Sequence, residues 1–106
     1  MLARKYRFTH RLNEDFFKST QRLFSRQFVL FYRKSANESS SAQLAIIIPA
    51  KVAKTAVLRN KARRVIGEEI KTILPSLAGY EMALYLQSKL ENPHEAHQLL
   101  SKLTRS

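Results

Sequence analysis

The sequence predicts one domain of the α+β class, on three observations. Three stretches repeat their apolar residues at helical spacing, and three others are dense in β-formers. A chain of 106 residues has room for one core, burying about two-thirds of its unfolded surface. Hydrophobic residues at 44% and charged residues at 25% are the balance of a folded domain, and there is no internal repeat or linker.

Residues 1–11 mix Arg4, Lys5, Tyr6, Arg7, Phe8 and Arg11 without a period, which predicts an extended basic arm. Asn13 is suited to cap a helix whose first turn holds Glu14 and Asp15, and the pattern predicts that this helix runs to about Leu23. Gln27 to Arg33 reads as a strand, with Phe28, Leu30 and Tyr32 on one face and Val29, Phe31 and Arg33 on the other. The polar run Lys34 to Ser41 suits a connection between antiparallel strands. Ala42 to Ile48 reads as a second strand, and its run Leu44 to Ile48, apolar throughout, predicts a central strand covered on both faces.

Pro49 ends that strand, and a helix is expected from about Thr55. A step of 100° per residue sets Leu58, Ala62, Val65, Ile66, Ile70 and Ile73 in one apolar arc. It sets Asn60, Arg63 and Gly67 side by side on a polar arc, with Arg59 and Lys71 at its margins. Pro75 closes the helix, YEMALYLQ gives a third strand, and Asn92-Pro93 opens a last helix that buries Ala96, Leu99, Leu100 and Leu103.

Charge points to the partner. Nineteen Lys and Arg against eight Asp and Glu leave +11. Residues 1–34 hold nine basic and two acidic side chains, residues 51–71 seven and two, and residues 72–106 three and three. Solubilising charge would be spread evenly, so two basic blocks indicate a footprint on a polyanion. In the second block acidic residues at helical spacing are scarce and Asn60 stands among the cations, an amide able to meet a phosphate, ribose or base edge. Phe16, Phe17, Phe28, Phe31 and Tyr32 fit a core more readily than a base-stacking platform when read one by one.

Other chemistries find little support. The absence of cysteine removes disulfides, thiolate metal sites and a Cys nucleophile, and fits a reducing cytoplasm. No apolar run is long enough for a membrane span and the N-terminus lacks a signal-peptide core. His94 and His97 lie three apart without an evident third ligand, so solvated histidines are the simpler reading. Glu68 and Glu69 diverge by about 100° on a helix and suit salt bridges with Lys71 and Arg64 better than acid–base work. With two glycines there is no phosphate-cradling loop, and no catalytic residue is assigned.

The segment KTAVLRNKARRVIGE, within Lys51 to Glu68, resembles the signature of the bacterial ribonuclease P protein subunit family: a basic loop, Ala-Val, an Arg-Asn-Arg core, a second basic pair, then an acidic or amide residue. RLNEDFFK and RQFVLFY ahead of it, and GYEMALYL behind it, are similar to further family segments in the same order. The resemblance implies a two-layer α/β sandwich like the second domain of ribosomal protein S5, with a left-handed βαβ crossover. It implies a protein that binds a catalytic RNA and the 5′ leader of precursor tRNA, assisting endonucleolytic removal of that leader, with Mg2+ at the RNA active site rather than on protein side chains. Carried over residue by residue, Lys51, Lys54, Arg59, Asn60, Lys61, Arg63 and Arg64 fall on the RNA-binding motif, and Phe16 and Phe31 on the cleft that receives the leader.

The chain departs from the family pattern at three motif positions. Lys61 replaces the second Arg of the core, Gly67 takes a position usually basic, and Lys54 stands where glycine is common. The competing expectation is a non-catalytic ribosomal or RNA-chaperone type of RNA-binding protein.

Overall fold

The computed structural model describes residues 14–34 and 41–105. In chain order these form helix α1 (Glu14–Lys18), strands β1 (Gln21–Phe24), β2 (Phe28–Lys34) and β3 (Gln43–Ile47), helix α2 (Ala56–Ile70), a 3-10 turn (Leu74–Leu77), strand β4 (Tyr80–Leu86), helix α3 (His94–Ser101) and a final 3-10 turn (Lys102–Arg105). The arm expected over residues 1–11, the cap at Asn13 and residues 35–40 lie outside the described residues.

The strands make one sheet in the order β1-β2-β4-β3. β1 pairs antiparallel with β2 and β2 with β4, whereas β3 runs parallel to β4. A parallel pair needs a long crossover, and here it is supplied by α2. The mixed α+β class therefore agrees with the sequence reading, but two of its details do not.

The first concerns the helix expected to reach Leu23, which stops at Lys18. Ser19 and Thr20 donate their hydroxyls back to the Phe16 and Phe17 carbonyls at 2.9 and 2.8 Å, a local bond that competes with helix continuation. Gln21 to Phe24 then pair along β2 as a strand. The second concerns Ala42 to Ile48, expected at the centre of the sheet. β3 lies at its edge and does not pair with β2 at all; the central apolar strand is β4, where Met82, Ala83 and Leu84 are all fully buried.

Alternation along the strands divides the sheet into two faces. Phe28, Leu30, Leu44, Met82, Leu84 and Leu86 share a core with Ile66 and Ile70 of α2 and with Ala96, Leu99 and Leu100 of α3. Leu103 joins them from the final turn. The opposite face carries Arg22, Phe24, Phe31, Arg33, Ile47, Glu81 and Tyr85, as the strand registers require. α1 closes one end of this second face. There Phe16 is buried beneath Arg33, whose guanidinium lies 4.6 Å from the ring centroid, donates from Nε to Glu81 at 3.0 Å and from a terminal nitrogen to Ser19 Oγ at 2.6 Å.

The buried stripe of α2 is also turned relative to the expected arc. Ile66, Gly67 and Ile70 are buried, while Leu58 and Val65 are 50% and 36% exposed. Gly67 presents no side chain on the inward face, so the helix turns this side to the core. Only the C-terminal half of α2 is anchored in this way; Ala56 to Leu58 stand exposed at its start.

α3 starts at His94, one residue later than the sequence suggests, with Pro93 already helical and Asn92 Oδ1 accepting the His94 amide at 3.2 Å. Its entry is fixed by Gln27, a buried polar residue whose side-chain amide donates to Glu95 Oε2 at 2.7 Å and to the Asn92 carbonyl at 3.1 Å. The Gln27 side-chain oxygen accepts the Glu91 and Asn92 amides, and the Gln27 amide donates to Glu95 Oε1 at 2.9 Å. Burial favours the neutral form of Glu95, but hydrogen bonds from Ser25 and Gln27 outweigh it and lower its pKa from 4.5. A depressed carboxylate contributes stability above its unfolded pKa and loses it as pH falls through the folded one. Glu95→Gln is therefore expected to lower Tm at pH 7 by roughly 4 to 8 °C, the effect of about 1 kcal/mol, and the difference from the wild type should shrink as the pH is lowered into the acid range. Thermal melts over a descending pH series check this.

Candidate nucleic-acid interface

The basic segment starts in the loop between β3 and α2. The Val52 and Ala53 amides both donate to the Pro49 carbonyl, at 3.0 and 3.2 Å, folding the loop into a tight turn with Lys51 and Lys54 exposed on it. Lys54 needs no glycine-like backbone, since among the described residues the only positive φ belongs to Gly79. Thr55 then caps α2 by accepting the Leu58 amide at 3.1 Å. The first turn of the helix holds no acidic residue, so the positive end of its dipole adds to the loop lysines.

The motif residues divide into two sets. Arg59 is half-buried and turned back: one terminal nitrogen donates to the Ala53 and Lys54 carbonyls at 3.0 and 3.3 Å. Arg63 donates to Asn60 Oδ1 at 3.1 Å and, from Nε, to the Ile46 carbonyl on the sheet edge at 3.4 Å. Lys61 and Arg64 are exposed and enter no ion pair among the described residues, and the same holds for Lys51 and Lys54. The carboxylates that could have neutralised this face are engaged elsewhere. Glu68 meets Lys71 at 2.6 Å, and that ammonium lowers its pKa from the usual carboxylate value. Glu69 lies 3.3 Å from His94, so neither glutamate takes up Arg64.

Around the β3 edge from Arg63 lies an open cleft of about 630 Å³ lined by Phe17, Arg22, Phe31, Ile47 and Tyr85. Phe17 meets Phe31 edge to face with centroids 4.9 Å apart, and the Arg22 guanidinium sits 5.3 Å from the Phe31 centroid. Phe24, 63% exposed, belongs to the same face in a row with Val29, Tyr85 and Ile47. Consecutive residues join the two regions, the Ile46 carbonyl holding Arg63 while Ile47 lines the cleft.

Of the two aromatics expected in a cleft, Phe31 lines it and Phe16 does not: Phe16 is only 2% exposed, and its neighbour Phe17 takes the lining position. Arg22, Phe24 and Tyr85 were not singled out in the sequence. Arg22 and Phe24 were hidden by the helical reading of their segment; read with a period of two, they fall on the face opposite Leu23. His94 and His97 stack on each other at 5.3 Å, and among the described residues no three His, Asp or Glu side chains converge as a metal site. No described helix is long and apolar enough to cross a membrane.

Comparison with known proteins identifies the setting of this geometry. The ribonuclease P protein from Thermotoga maritima superposes with a TM-score of 0.68 at 24% identity, over 93% of this chain and 96% of that one. The ribonuclease P protein from Staphylococcus aureus does so with the same score and identity, over 94% and 93%. No individually curated protein sequence matches. The sequence profile of the family described as Ribonuclease P matches residues 2–106. The chain therefore belongs to the ribonuclease P protein family, the protein subunits of a tRNA-processing endoribonuclease.

Proposed function

We propose that this subunit holds the catalytic RNA on the outer side of α2 and on the loop before it, and takes the single-stranded 5′ leader of precursor tRNA in the open cleft. The observation that carries the reading is the group of exposed cations without ion-pair partners among the described residues, Lys51, Lys54, Lys61 and Arg64, beside an aromatic-lined sheet face. Such cations neutralise phosphates and release counterions, while aromatic faces accept bases of any sequence. Phe17, Phe31 and Phe24 are the stacking candidates, and Arg22 supplies a cation among them.

In this reading no side chain of the chain serves as catalytic acid, base or nucleophile. Magnesium held by RNA phosphates would supply the activated water, and the protein would contribute affinity and alignment of the substrate.

Reconstitution tests this directly. Adding the chain to a bacterial ribonuclease P RNA should raise cleavage of precursor tRNA at low magnesium, and the chain alone should cleave nothing; unchanged cleavage would overturn the reading. Lys61→Ala and Arg64→Ala should each weaken RNA binding and lower the slope of log K against log salt by roughly 0.7 to 0.9. Fluorescence titration over a salt series measures it. Phe31→Ala and Phe24→Ala should reduce affinity for long-leader substrates by roughly fivefold or more and leave leaderless tRNA unaffected.

A further inference from the structure

We propose that Arg59 is a positioning residue, which holds the loop of residues 49–54 in the shape that presents Lys51 and Lys54, rather than a side chain that grips phosphate. The inference rests on the RNA-binding reading above and assigns this residue a different task within it.

Three observations carry it. The guanidinium of Arg59 is directed back along its own chain, with one nitrogen shared between the Ala53 and Lys54 carbonyls at 3.0 and 3.3 Å. These carbonyls belong to the same turn whose Val52 and Ala53 amides close onto Pro49, so the loop is fastened from both ends. Val52 and Ala53 also pack, half-buried, against the core, so the turn has one well-defined resting place. Neighbouring Lys61 and Arg64 have no such bonds and point to solvent.

The physical advantage is entropic. A loop bearing two lysines would otherwise lose its conformational freedom on meeting RNA, and that loss subtracts from affinity. Charge-assisted bonds from a guanidinium to two carbonyls fix the backbone beforehand and place the two ammonium groups next to the helix dipole.

The variant that isolates this role is Arg59→Met, which keeps the aliphatic stem and removes every donor. In the free protein, hydrogen exchange at the Val52 and Ala53 amides should accelerate by roughly tenfold, while the Leu84 and Leu100 amides keep their protection and report that the fold is intact. In a cycle with Lys54→Ala, binding to the ribonuclease P RNA should be non-additive: Lys54→Ala weakens binding in the wild type and adds little once Arg59 is gone. Retained loop protection, or fully additive losses in the cycle, would overturn the proposal and return Arg59 to direct contact. Affinity losses confined to Lys61→Ala and Arg64→Ala, with the Arg59 and Lys54 variants silent, would likewise remove the role of Arg59 and leave RNA binding standing. If none of these variants changed RNA affinity, the RNA-binding reading itself would fail, and the role with it.

Discussion

The parallel pairing of β3 with β4 is the constraint from which the working surfaces follow. Two parallel neighbours cannot be joined by a tight turn, so the chain must leave the end of β3, cross the sheet and re-enter at the start of β4. α2 makes that crossing. Its C-terminal half is drawn into the core by Ile66, Gly67 and Ile70, and its N-terminal half is left standing at the β3 edge with Asn60 and Lys61 in water. A helix buried along its whole length would have no room for an unpaired cationic face, because buried charge without a partner costs several kcal/mol.

Sheet and helices then divide the labour by face. One face is filled by α2 and α3 and supplies the stability. The other is covered at one end only, where Phe16, Arg33, Ser19 and Glu81 lock α1 down, so that Phe17 is held at the rim of the open part. Arg33, basic and in an aromatic strand, looks from its type like a candidate RNA contact. Its three partners make it structural. The same distinction separates Arg59 from Arg64: both are arginines of one motif, and what they touch differs.

How much of this could be read in the sequence depended on whether the signal was local. The start of α2 was legible because Thr55 is a capping residue before an apolar repeat, and β4 because its β-formers are dense. β1 was not, since Phe16, Phe17, Thr20 and Leu23 continue a plausible helical spacing; the terminating bonds of Ser19 and Thr20 are visible only in three dimensions. The sheet order could not be read either, as an apolar strand such as Ala42 to Ile48 does not declare whether it lies at the centre or beside a crossover helix. On α2 the wheel placed Gly67 with the cations because it counts angle and not neighbours; inside the fold that position faces the core. Phe16 was matched to the cleft through the family motif, and on so short a helix a single residue step of 100° decides which of Phe16 and Phe17 lies inside and which at the rim.

If the cleft takes the leader as proposed, the stacking of Arg22 on Phe31 would bear on turnover. The aromatic ring already carries the Arg22 guanidinium, and a base arriving from that side would first have to lift it away. An exposed cation–π contact is worth about 0.5 to 1 kcal/mol and a base on an aromatic ring about 1 to 3, so the exchange would be favourable by only a small margin. The displaced guanidinium would remain within reach of the incoming phosphate. On that proposal, such a surface would hold a strand long enough to align it and still release it, since Arg22 would take the ring back.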